Sequence, residues 1–110
     1  NVASRLEQSN KEFSTTILFS HEIYSSLTKE LYDKAIPGFG ELFRMLSYQN
    51  IKTSTLQSRC TGGVTNGTFL FALPGSTGAC KDGWDQILIH QLDSTHKPCN
   101  LVELMPRLLE

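Results

Sequence analysis

The chain has 110 residues, 39% of them hydrophobic, enough for one domain with a modest core and too few for two. Its 10 basic and 11 acidic residues leave a formal charge of −1, so no global field draws it to nucleic acid or anionic lipid, and any bound anion must be met locally. No apolar run approaches the roughly 20 residues of a membrane helix, and the opening NVASRLEQSNKEF lacks the apolar middle of a secretory signal, so a cytoplasmic protein is expected.

Residues 1–13 are polar, with Ser9 and Glu12 at capping-box spacing, and predict a short helix or a frayed terminus. Thr15 to Phe19 is a short β-prone run. Between Ser25 and Ala35, Leu27, Leu31 and Ala35 recur every four residues, which predicts an amphipathic helix stopped by Pro37-Gly38. From Gly38, Phe39, Leu42, Phe43 and Leu46 give a second helix with a broad apolar face, ending near Tyr48 to Asn50. Glu41, Arg44 and Gln49 are expected to face outward from it.

The stretch TSTLQSRCTGGVT (53–65) is rich in hydroxyls and glycine and predicts a closely packed loop, with at most one turn of helix before it. Asn66-Gly67 then turns the chain into Thr68 to Leu73, apolar almost throughout, the pattern of an interior strand in a parallel sheet. Ser76 is a natural N-cap for a helix whose buried face holds Cys80, Trp84, Ile87, Leu88 and Leu92, with Lys81, Asp82, Asp85 and Gln86 opposite. Beyond Asp93, Pro98 and Pro106 oppose regular helix and predict an extended tail laid over the domain.

The junction Pro74-Gly75-Ser76-Thr77-Gly78-Ala79 carries most of the chemistry. A strand, a turn of small residues and a helix start aim main-chain N–H groups and the positive end of a helix dipole at one spot, which suits a phosphate or carboxylate. Pro74 fixes φ, Gly75 allows close approach, and Gly78 and Ala79 keep the first helical turn uncluttered. The same pattern also serves as a plain helix cap. Other candidates are weaker. Cys60, Cys80 and Cys99 form no Cys-x-x-Cys pair and read as reduced thiols. His21-Glu22 lacks a second histidine at metalloprotease spacing, and Ser20 or Ser58 with His21, His90 or His96 has no nucleophile-elbow context, so no metal site is assigned and no residue takes a catalytic role. Asp82 and Asp85 could attract Mg²⁺ beside a nucleotide but suit a solvated helix face. Asn66-Gly67-Thr68 matches a glycosylation acceptor that a cytoplasmic chain would never use.

The stretches IPGFGELFRMLSY (36–48), TSTLQSR (53–59), NGTFLFALPGSTGAC (66–80) and QLDSTHKPCNLVELMPRL (91–108) resemble the C-terminal half of the MoaB/MogA family of molybdenum cofactor biosynthesis proteins, on its bacterial MoaB branch. The resemblance runs from about Leu31 to Arg107. It divides the chain into a divergent segment, 1–30, and a MoaB/MogA-like molybdopterin-binding half-domain, 31–110.

The resemblance implies an α/β fold with a Rossmann-like parallel sheet flanked by helices, incomplete at its N-terminus, and assembly into homo-oligomers, trimers or hexamers. The implied ligand is molybdopterin or another phosphate-bearing small molecule, and the implied reaction is adenylyl transfer from Mg-ATP to the molybdopterin phosphate. The family's second signature loop falls on Pro74, Gly75, Ser76, Thr77, Gly78 and Ala79, and its Ser-Arg pair on Ser58 and Arg59. By the same resemblance, Ser58, Gly75 and Ser76 would touch the pterin or its phosphate. The family's glycine-rich loop would fall on Ser14, Thr15, Thr16 and Ile17 and its acidic segment on His21, Glu22 and Ile23, where neither glycines nor the acidic pattern are found. The chain is therefore expected to be a truncated or frameshifted fragment, one piece of a longer protein, or a diverged member with a rebuilt N-terminus, its interior strand left with an unpaired edge and its stability marginal without subunit packing. The alternative is a non-catalytic pterin- or anion-binding assembly protein.

Overall fold

The computed structural model describes residues 15–18, by their backbone, and residues 32–110. Strands β3 (Thr61–Thr65) and β4 (Thr68–Ala72) form an antiparallel hairpin whose register runs from Thr65 opposite Thr68 to Thr61 opposite Ala72. The two-residue connection works because Asn66 and Gly67 both take positive φ, 49° and 75°, the combination that matches the twist of paired strands. Asp33 holds the turn from outside, its Oδ2 accepting the Asn66 N–H at 2.7 Å.

Strand β1 (Thr15–Leu18) lies parallel to β4, and the two-residue β2 (Lys34–Ala35) lies antiparallel to β3, giving the order β1-β4-β3-β2. The α/β fold is the expected one, and Thr68–Ala72 is interior as its continuous apolar run required. Strand direction is mixed: one neighbour of β4 is parallel and the other antiparallel, so both its edges are paired and the expected open edge is absent among the described residues.

Helix α1 (Pro37–Ile51) begins with proline at its first turn, where no N–H is needed, and stops at Lys52, whose φ is 54°. It buries Phe39 and Phe43 against the sheet, Phe39 meeting the ring of the fully buried Phe71 at 4.7 Å between centroids. Helix α2 starts at Thr77–Gly83, widens into a π turn over Trp84–Leu88 and closes with Ile89–Gln91. Its buried side chains, Cys80, Trp84, Ile87, Leu88 and the following Leu92, are the expected set. Each large one contributes about 1.5–3 kcal/mol of burial.

Three expectations give way to tertiary structure. Lys34–Ala35 is strand rather than the end of a helix from Ser25, because β3 supplies its hydrogen bonds; residues 25–31, like the segment 1–13, lie outside the described part. The hydroxyl- and glycine-rich loop divides into a 3₁₀ helix, Lys52–Gln57, and strand β3. The tail is not extended: it folds through turns into a second 3₁₀ helix, Val102–Arg107, which tolerates Pro106 because only a short run of i to i+3 bonds is required. Buried Asn100 anchors that tail, its side chain donating to the Ser94 and His96 carbonyls and accepting the Glu103 N–H.

Gly62 explains why β3 carries glycine. A Cβ there would lie 2.8 Å from Cδ1 of Phe71 and 3.2 Å from Cβ of Phe39, inside the contact that joins α1 to the sheet. Replacing it with alanine should overpack this contact and cost about 1–3 kcal/mol, read as a lower urea midpoint; an unchanged midpoint would show that the rings yield freely.

Candidate functional site

Parallel β1 and β4 both end, and antiparallel β3 begins, along one edge of the sheet. Because Thr61 pairs with Ala72, Ser58 and Arg59 precede β3 on the edge where Pro74 to Ala79 follow β4. Two segments far apart in sequence are thus brought to a common rim by register alone.

On that rim Pro74 is half-buried, Gly75 to Gly78 are exposed and Ala79 is half-buried, so the loop surface is open. The carbonyl of Pro74 accepts from the Cys80 thiol at 3.5 Å. Ser76 is the N-cap of α2, its Oγ accepting the Ala79 N–H at 3.2 Å, while its carbonyl accepts the Cys80 N–H at 3.1 Å. That leaves the Thr77 and Gly78 N–H groups in the first helical turn, which has no intrahelical acceptors for them. A Cβ on Gly78 would meet nothing within 4 Å, so glycine there serves openness, not packing. Ser58 is half-buried and ends the first 3₁₀ helix, its N–H donating to Thr55. Arg59 is exposed.

A second feature went unread in the sequence. Where β2 leaves β3 to enter α1, a cavity of about 550 Å³ opens, lined by Ile36, Pro37, Glu41, Arg44, Thr61 and Tyr32 among others. Glu41 is exposed as expected, but Arg44 is half-buried and turns toward β3, its Nη1 donating to the Cys60 carbonyl at 3.5 Å. The Tyr32 hydroxyl and Thr61 Oγ1 are hydrogen-bonded at 2.8 Å across the opening. Gly40 makes this possible: a Cβ there would strike the Cys60 carbonyl and crowd the Arg44 guanidinium at 3.2 Å. The available signal was Gly40 inside a helix, with no turn to explain it, one residue before Glu41 and four before Arg44.

Burial pushes the Cys60 thiol up to about 12, only partly offset by the Arg44 charge, and burial also raises Cys80. Both stay protonated at neutral pH, so neither is an activated nucleophile. Asp82 accepts from Gln86 at 3.2 Å on the surface of α2, and no group of three or more metal-ligating side chains is gathered among the described residues.

The family described as "Probable molybdopterin binding domain" matches residues 20–94. Molybdenum cofactor biosynthesis protein B of Escherichia coli (strain K12) is 56% identical over 70 residues, which are 64% of this chain and 41% of that protein. The protein of the same name from Halalkalibacterium halodurans is 43% identical over 79 residues, 71% of this chain and 46% of its own. The chain spans less than half the length of these relatives. Among solved structures, the tungsten cofactor synthesizing protein MoaB from Pyrococcus furiosus superposes with a TM-score of 0.63 at 27% identity, covering 87% of this chain and 58% of that one. The molybdopterin biosynthesis Mog protein from Mycobacterium ulcerans gives 0.55 at 26% identity, covering 84% and 66%.

Since the Ser76 hydroxyl closes the first turn of α2, Ser76→Ala should lower stability by about 1 kcal/mol in thermal or chemical unfolding. A loss of anion affinity without any loss of stability would instead assign the hydroxyl to a ligand.

Proposed function

Because this chain belongs to the probable molybdopterin-binding domain family, and its Escherichia coli and Halalkalibacterium halodurans relatives are molybdenum cofactor biosynthesis proteins, we propose that it binds molybdopterin, holding the phosphate at Pro74 to Ala79. The observation that carries this reading is the open loop at the end of an interior strand, with Ser58 and Arg59 on the same rim. An anion there would take the Thr77 and Gly78 N–H groups in the positive field of α2, and the Arg59 guanidinium suits a phosphate at the same rim. Close approach is possible because Gly75 and Gly78 carry no side chain.

Adenylyl transfer from ATP is the activity that the family resemblance suggests, and here a second reading has its own support. Of residues 14–17, where the family's glycine-rich loop would fall, Thr15, Thr16 and Ile17 belong to β1, an extended strand paired with β4 rather than a loop folded round a phosphate. No group of three or more metal-ligating side chains is gathered among the described residues, and no step is derived through the metal. Binding without transfer is therefore the reading we favour for this chain. It is also proposed to self-associate through α1, where the neighbouring Met45 and Tyr48 are 58% and 50% exposed.

Gly75→Asp would place a carboxylate in the proposed phosphate position and should weaken molybdopterin binding in calorimetry by about tenfold or more, with the fold retained. Equal binding by parent and variant would remove the loop from the site. Sedimentation should show Met45→Glu shifting the assembly toward monomer, and a parent that is itself monomeric at high concentration would refute the proposed contact.

A further inference from the structure

We infer that the cavity between β2, α1 and β3 is a recognition site for an amino-oxo bicyclic heterocycle, a pterin or a guanine-type purine, read by Glu41 and Arg44. The inference deepens the molybdopterin reading and rests on it for the preferred owner of the ring.

Donor and acceptor roles are divided between these two side chains. Glu41 brings a carboxylate, which only accepts, and Arg44 a guanidinium, which only donates; both line one cavity from positions three apart on α1. A ligand matching both must offer neighbouring donors on one edge and an acceptor on another. An amino-oxo ring does so: its ring N–H and exocyclic amine suit a carboxylate, and its carbonyl accepts from an arginine. A simple anion would satisfy Arg44 but face repulsion from Glu41.

The walls agree with a flat ring. Ile36 and Pro37 provide apolar surface, and Gly40 brings the helix backbone hard against the Cys60 carbonyl, which holds Arg44 over the start of β3. The Arg44 Nη1 contact to that carbonyl, at 3.5 Å, is a long hydrogen bond that uses one of five guanidinium donors. At about 550 Å³ the cavity lies within the range of small-molecule sites. Its floor residue Thr61 pairs with Ala72, two residues before Pro74, so a ring in the cavity and a phosphate at the loop would share one sheet edge. Pterin fits that juxtaposition with a phosphate-bearing side arm, and a guanine nucleotide is the competing source of the same ring chemistry.

The test uses the intact 110-residue chain and rings without phosphate, so that the loop plays no part. Intrinsic fluorescence titration with pterin should saturate, whereas lumazine, in which a carbonyl replaces the amine, should bind about tenfold more weakly because it presents an acceptor to Glu41. Glu41→Gln, a surface change verified by circular dichroism, should weaken pterin by about tenfold and erase the preference over lumazine. Saturating inorganic phosphate should leave phosphate-free pterin within about threefold, which separates failure of this pocket from failure of the phosphate loop. Guanosine run in parallel identifies the owner: tighter pterin supports the molybdopterin assignment, and tighter guanosine keeps the ring site but transfers it to a nucleotide. Absence of saturable binding by any of these rings, equal affinity for pterin and lumazine, or a Glu41→Gln variant that retains the discrimination would overturn the inference.

Discussion

The pairing of Thr61 with Ala72 is the constraint on which the rest of the molecule depends. It is set at the far end of the hairpin, where Asn66 and Gly67 can both take positive φ and Asp33 accepts the Asn66 N–H. A slip of one residue would send every side chain of β4 to the opposite face, placing Phe69 and Phe71 away from α1. It would also offset Ser58 and Arg59 from the loop after β4. The core and the rim are therefore fixed by the same two-residue turn, and the 74–79 loop takes its place from a turn about six residues upstream.

Close approach of α1 to β3 has two consequences that cannot be separated. Gly40 and Gly62 remove the side chains that would hold helix and strand apart, so Phe39 reaches Phe71 and the core closes. Nearby, β2 parts from β3, Ile36 makes the last shared backbone bond by donating to Gly62, and the backbone beyond it opens into the cavity. Arg44 reaches the Cys60 carbonyl in that opening. Packing that completes the core thereby leaves Glu41 and Arg44 lining the opening beside it. The neighbouring Cys60 contributes bulk rather than reactivity, since burial keeps its proton in place.

Where local signals suffice, the sequence is a reliable guide to this fold. The recurrence of Phe39 and Phe43, the Asn66-Gly67 turn, the apolar run into Leu73 and the Ser76 cap each act through their own backbone or one face, and all appear in the structure. Segments that borrow their structure from elsewhere are less readable. Thr61–Thr65 has glycines where alternation should be, because its partners are a phenyl ring and the Tyr32 side chain rather than water. Lys34–Ala35 is a strand only because β3 offers an edge. The 74–79 loop could be located from composition, since strand, small residues and cap are contiguous. The Glu41–Arg44 cavity could not, because it is made by a glycine contact across twenty residues of chain.

The exposed loop and the recessed cavity also differ in how they could hold a ligand. At the rim, Gly75 to Gly78 are open to solvent, where charge attraction is screened and a phosphate alone gains little beyond its hydrogen bonds. In the cavity, Ile36 and Pro37 give apolar surface beside the exposed Glu41 and the half-buried Arg44, but a neutral ring brings no charge to attract it from a distance. A molecule carrying both groups makes the second contact intramolecular, at an effective concentration set by the span between them, so two modest subsites become one selective site. That span depends on the strand register between β3 and β4, which holds the cavity and the loop on adjacent strands. Recognition of this form would make specificity a property of the sheet edge as a whole, with the ring deciding identity and the phosphate deciding orientation.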